Sequence, residues 1–112
     1  MIDKMDPALR EKFEFVSQAI LKRSPAFFAE RGVLFRSGLD DLNEYQVAEL
    51  VIDNVPFALM RHTGTPPDET EIYLPDSVPP ERVPDVIERI VRELDLSSAA
   101  IGWQRQRATT PF

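Results

Sequence analysis

Between residues 45 and 75 the apolar positions fall into three short runs, YQVAELVI, VPFALMRH and TEIYLP, parted by Asp53-Asn54 and by the loop 63–69. Runs of this length, rich in branched and aromatic side chains and bounded by turn residues, read as strands. Asp and Asn both tolerate the positive φ that a two-residue hairpin link demands. The pattern therefore predicts a three-stranded antiparallel meander. With Asp53 and Asn54 as the link, Ile52 faces Val55, Leu50 faces Phe57 and Ala48 faces Leu59, and these six share one apolar surface. The other surface sets Val47, Glu49 and Val51 opposite Pro56, Ala58 and Met60, an alternation blurred for a face that meets water. Pro56 cannot donate to a ladder. In this register, however, its nitrogen points away from the first run, and the third run stops at Pro75 before reaching it. A helix from Asp41, with Asp41 and Glu44 as a capping box, is the competing reading of residues 41–52. Its stripe of Leu42, Tyr45, Glu49 and Ile52 holds a charge in the middle, which counts against it.

Outside the meander the spacing turns helical. Asp6-Pro7 is a start signal, with Asp as N-cap and Pro in the first turn. Leu9, Phe13, Val16 and Ile20 follow at intervals of three and four, which predicts one helix ending near Lys22 and Arg23. Ser24-Pro25 repeats the start signal for a short helix ending at Gly32, whose adjacent Phe27 and Phe28 must face different ways. Residues 33–36 read as a brief strand broken at Ser37-Gly38, with Asp40-Asp41 in a loop. Val83, Ile87, Ile90 and Leu94, flanked by Val86 and Val91, form the stripe of a second long helix starting near Pro80 or Glu81. Asp85–Arg89 and Glu88–Arg92 are its supporting i,i+4 pairs. Residues 99–106 read as a last strand with Ile101, Trp103 and Arg105 on one side, and residues 107–112 as a frayed tail. The sum is a single α+β domain over residues 1–112, two layers deep. It has a mostly antiparallel sheet of four or five strands with two long helices packed on one face.

Composition sharpens this picture in two ways. A hydrophobic content of 43% over 112 residues suffices for an independent core. The absence of cysteine rules out disulfides and thiolate chemistry. The first fifteen residues are charged, without the apolar core of a secretory signal, and no apolar run approaches the ~18 residues that would span a bilayer. A soluble, cytoplasmic protein without membrane contact is expected. The net charge is −6, and it is unevenly spread: residues 40–85 hold eleven acids against only Arg61 and Arg82, a local charge of −9. Phosphate backbones require the opposite sign, so no nucleic-acid partner is expected.

Candidate chemistry is sparse. His62, the one histidine, leaves the second strand across a loop from Asp68, Glu69 and Glu71. These four form a polar cluster whose spacing fits no metal-ligand pattern, and a solvated loop accounts for it. Asp40, Asp41 and Glu44 suit a cap and loop as well as a weak cation site. No glycine-rich phosphate loop and no nucleophile elbow is present. Neither a catalytic activity nor a cofactor or metal is expected.

Three functional expectations follow. The first is a non-enzymatic interaction protein, homodimeric through the apolar outer face of its sheet: Val47, Val51, Ala58, Met60 and Tyr73. The second is docking of a basic protein partner on the acidic middle, in the manner of an inhibitor or immunity protein. The third is a small-molecule pocket between sheet and helices, ringed by Phe13, Phe27, Phe57 and Trp103, although such aromatics also suit a plain core.

Overall fold

The computed structural model describes residues 2–40 and 43–104. In chain order the elements are β1 (Ile2–Lys4), α1 (Pro7–Lys12), β2 (Phe15–Leu21), α2 (Pro25–Ala29), β3 (Arg36–Asp40), β4 (Asn43–Ile52), β5 (Val55–His62), β6 (Thr70–Pro75), α3 (Val83–Glu93) and β7 (Ile101–Gln104). The strands form one antiparallel sheet in the order β1-β4-β5-β6-β2-β7, with β3 also on β4. β1 and β3 thus share one edge of β4: β3 takes residues 43–47 and β1 takes 50–52.

The meander forms as its pattern dictates. Asp53 and Asn54 turn with φ of 48° and 66°, and Ile52–Val55, Leu50–Phe57 and Ala48–Leu59 are the facing pairs. The β5–β6 ladder ends at Ala58–Tyr73, two residues short of Pro56, so the donor that proline lacks is not called for. The helix reading of residues 41–52 is overturned over the described part, since β4 begins at Asn43; Asp41 and Leu42 lie outside the described residues.

Five of the six meander residues, Ala48, Leu50, Ile52, Phe57 and Leu59, join Ala19, Leu21, Ile72 and Leu74 on the inner face, under Val83, Ile87, Ile90 and Val91 of α3, the adjoining Leu94 and Phe28 of α2, while Val55 at the turn is half-buried. The predicted α3 stripe is therefore the core contact. Pro84 sits in the first turn and the helix starts at Val83, a little later than its sequence signals suggest. Glu88 pairs with Arg92 at 2.8 Å, but Arg89 reaches Asp53 at 3.4 Å and Glu93 at 3.7 Å, which ties α3 to the β4–β5 turn instead of to Asp85.

The N-terminal third departs from expectation. Asp6 does cap, its carboxylate accepting from the Ala8 N–H at 2.9 Å, yet the helix ends at Lys12 and residues 15–21 are a strand. The reason is a bulge at Gln18. Val16 faces Leu74 and Ala19 faces Ile72 across it, so Val16 and Ile20, which share the predicted helical stripe, lie on opposite faces of the strand. Pairing with β6 on one side and β7 on the other then outweighs any local helical preference. Among the described residues the sheet accordingly has seven strands instead of four or five, and α3 is the one long helix.

α1 is also on the other face. The chain leaves β4 where the Met5 N–H donates to the Glu49 carbonyl at 3.0 Å, and it rejoins the sheet where the Asp76 N–H donates to the Glu14 carbonyl at 2.8 Å. Between those points it must cross β5, and Arg10 pairs with the outward-facing Glu49. The helix therefore lies on the outer face, where Pro56, Ala58 and Pro75 are buried.

Two further expectations change. Ser37-Gly38 does not break a strand but lies inside β3. Gly38 faces Tyr45, and a Cβ there would come within 2.4 Å of the tyrosine ring, so the glycine makes room for an aromatic neighbour. In β7 a second irregularity sets Ile101 opposite Leu21 but Trp103 opposite Ile20. Ile101 and Trp103 thus occupy opposite faces, not the same one; Arg105 and the tail 107–112 lie outside the described residues.

Candidate functional site

The outer face is ordered in rows across the strands. One row runs Arg36, Val47, Met60, Glu71, Ile20, Trp103 from β3 to β7; the next runs Glu49, Ala58, Tyr73, Ser17. Each row carries one glutamate, and each carboxylate has polar partners close by. Glu49, with 15% of its side chain exposed, takes Arg36 Nε at 3.0 Å on one oxygen and Arg10 Nε on the other. Hydrogen bonds to Glu49 and to Tyr45 raise the Arg36 guanidinium further above its already high range. Glu71, with 19% exposed, accepts the Ser17 hydroxyl at 2.7 Å and lies 3.7 Å from His62 Nδ1. Burial, then the adjacent charge of Glu71 and the hydrogen bond to it, hold the Tyr73 phenol above its ordinary range.

This brings together part of the predicted polar cluster. His62 and Glu71 approach one another, whereas exposed Asp68 and half-buried Glu69 stay on the loop and enter no ion pair among those formed by the described residues. Ser17, far away in sequence, completes the group instead. The Ser17 hydroxyl donates to a Glu71 carboxylate oxygen, and the His62 imidazole stands on the other oxygen of that carboxylate. Among the described residues no group of three or more histidines and acids is placed to hold a metal ion.

Of the five predicted interface residues, Val47 and Ala58 are already buried in the single chain, at 3% and 8% exposure. Val51, Met60 and Tyr73 are half-buried. The predicted pocket aromatics do not converge. Phe57 is fully buried on the inner face. Phe13 packs edge-on against Phe15, and Phe27 against Phe28 with Arg31 3.7 Å over its ring. Trp103, 44% exposed on the outer face, is no core anchor.

A different concavity lies where β1 and β3 meet along β4. It is a half-open cleft of about 910 Å³, lined by β1, α1, the 31–36 link, β4 and the end of α3. Arg10, Arg36 and Glu49 stand in its wall with Lys4 and Arg31, beside Val33, Leu34, Phe35, Leu50 and Leu94. A volume of this order matches small-molecule sites, which join an apolar wall to a few convergent polar groups. Sequence spacing gave no hint of it, because its residues come from five separate stretches of chain. Among the described residues no helix is long and apolar enough to cross a membrane. No protein-family model matches the chain, and no curated protein or solved structure is detectably similar to it.

Proposed function

We propose that the protein is a non-enzymatic interaction protein that works as a homodimer. The two copies join through the part of the outer face that α1 leaves open. The observation that supports this reading is Trp103. It is 44% exposed and stands at the end of the row that also holds half-buried Ile20 and Met60, with Tyr73 in the row beside it. Tryptophan and methionine are enriched where protein surfaces meet, and the acid in this row, Glu71, is already bonded to Ser17 and Tyr73, while Arg36 at its far end is paired with Glu49. The face therefore meets a copy of itself with the Glu71 carboxylate already hydrogen-bonded within its own chain. Val47 and Ala58, buried in the single chain, support it from beneath.

Docking of a basic protein on the acidic middle is the weaker alternative. Glu49, Asp53 and Glu71 are engaged with Arg10 and Arg36, with Arg89 and with Ser17, so they are not available to steer a partner. Light scattering behind size exclusion over a dilution series tests the proposal. The expected result is twice the chain mass for the natural protein and one chain mass for folded Trp103→Asp and Met60→Asp variants. A natural protein at one chain mass, or variants that remain at two, would overturn it.

A further inference from the structure

We infer that the outer face carries a one-residue acid switch, in which protonation of His62 tightens the association of two copies. The inference rests on the homodimer proposed above and names its regulation. Histidine is the side chain whose charge ordinarily changes between pH 5 and 8, and this chain holds one histidine and no cysteine. The fold sets that one residue on the proposed interface. His62 stands two residues beyond Met60 along β5, and so on the same side of the sheet. Met60 lies opposite Glu71, the acid of the row that also holds Ile20 and Trp103. His62 Nδ1 is 3.7 Å from Glu71 Oε1, with 35% of the histidine side chain exposed and 19% of the glutamate. Solvent protons therefore reach the imidazole, while the carboxylate it faces is largely withdrawn from water.

The groups around His62 come from four elements. β6 presents Glu71 and Tyr73, whose ring centroid is 6.5 Å from the imidazole, and half-buried Glu69 precedes that strand. β4 sets Tyr45 directly opposite. Arg36 of β3, 5.9 Å over the Tyr45 ring, is paired with Glu49. In the following loop the Thr65 hydroxyl accepts the His62 backbone N–H at 3.2 Å. Hydrogen bonds from Ser17 and Tyr73 hold the Glu71 carboxylate without cancelling its charge. While the imidazole is neutral, His62 and Glu71 together bring −1 to the interface from each copy. Protonation takes that to 0 and the chain from −6 to −5. Both changes reduce the repulsion of like charges brought face to face, and a carboxylate with a counter-charge beside it loses less on being covered. Association therefore strengthens as pH falls through the histidine range.

Analytical ultracentrifugation of the full chain at pH 8, 7 and 6 and constant salt, beside His62→Gln, tests the inference. This range stays above the ordinary carboxylate values. The dissociation constant of the natural protein is expected to fall about fivefold from pH 8 to pH 6, the scale of two partly exposed ion pairs. His62→Gln should hold one value throughout. If circular dichroism shows that this variant does not fold, His62→Asn takes its place, and the profile of the natural protein still decides the sign. A single chain mass at every pH overturns the homodimer and the switch with it. A dimer whose dissociation constant stays constant or rises in acid overturns the switch alone, and so does a gain that the histidine variant retains.

Discussion

At the scale of single residues, the outer face shows how charge is kept within a sheet that also carries a core. Glu49 and Glu71 each interrupt an apolar row, and each is held by groups from other elements. Tyr73 is the residue whose titration reports this. Its phenol is raised by burial and by Glu71, and a raised folded value means that stability is fully present below the unfolded value of ~10 and lost as pH climbs through the higher folded one. Chemical denaturation between pH 8 and 11 should therefore show the natural protein losing stability above pH ~10 more steeply than Tyr73→Phe. Parallel profiles would remove Glu71 and burial as the cause. Gly38 makes a different point at the same scale. In the sequence it looks like a strand breaker; in the sheet it is the space occupied by the Tyr45 ring, a pairing visible only once β3 and β4 lie side by side.

At the scale of elements, β2 is the informative case. Its apolar residues have helical intervals, but the bulge at Gln18 inserts one residue between Val16 and Ala19, which face the same way, and puts Ile20 on the opposite face. Deletion of Gln18 distinguishes the two readings. In a bulged strand it leaves Ser17 opposite Tyr73 and Ala19 opposite Ile72, so the protein should stay folded with a change on the order of 1 kcal/mol or less in urea denaturation. In a helix it would rotate Leu9 and Phe13 away from Ile20 by about 100° and break the stripe. A loss of folding on deletion would contradict the strand. The meander and α3 behave otherwise. Both were legible, the meander from its short branched and aromatic runs about the Asp53-Asn54 turn and α3 from its 3.6-residue stripe.

At the scale of the whole molecule, net charge sets the sign of association. Two copies at −6 repel, and added salt screens that repulsion within a Debye length of about 8 Å near physiological strength. The proposed homodimer should therefore tighten between 50 and 500 mM salt, measured as its dissociation constant by analytical ultracentrifugation. An association that weakens with salt would point to opposite charges meeting, and so to a basic partner in place of a second copy. The cleft belongs to this scale too, because its lining is drawn from five separate stretches of the chain.

By itself the sequence determined the antiparallel meander, its register and turn, the face under α3, the Asp6 cap and the short helix after Ser24. Each rests on contacts between residues close in the chain, where spacing and turn chemistry decide the geometry. Only the tertiary structure decided that residues 15–21 are a strand, that α1 crosses the outer face, that Ser17 joins His62 and Glu71, and that Arg10 and Arg36 converge on Glu49. Those arrangements depend on which strands become neighbours. Backbone pairing with β6 and β7 is a long-range gain that local periodicity does not encode, and it outweighs the modest preference of a short segment for a helix.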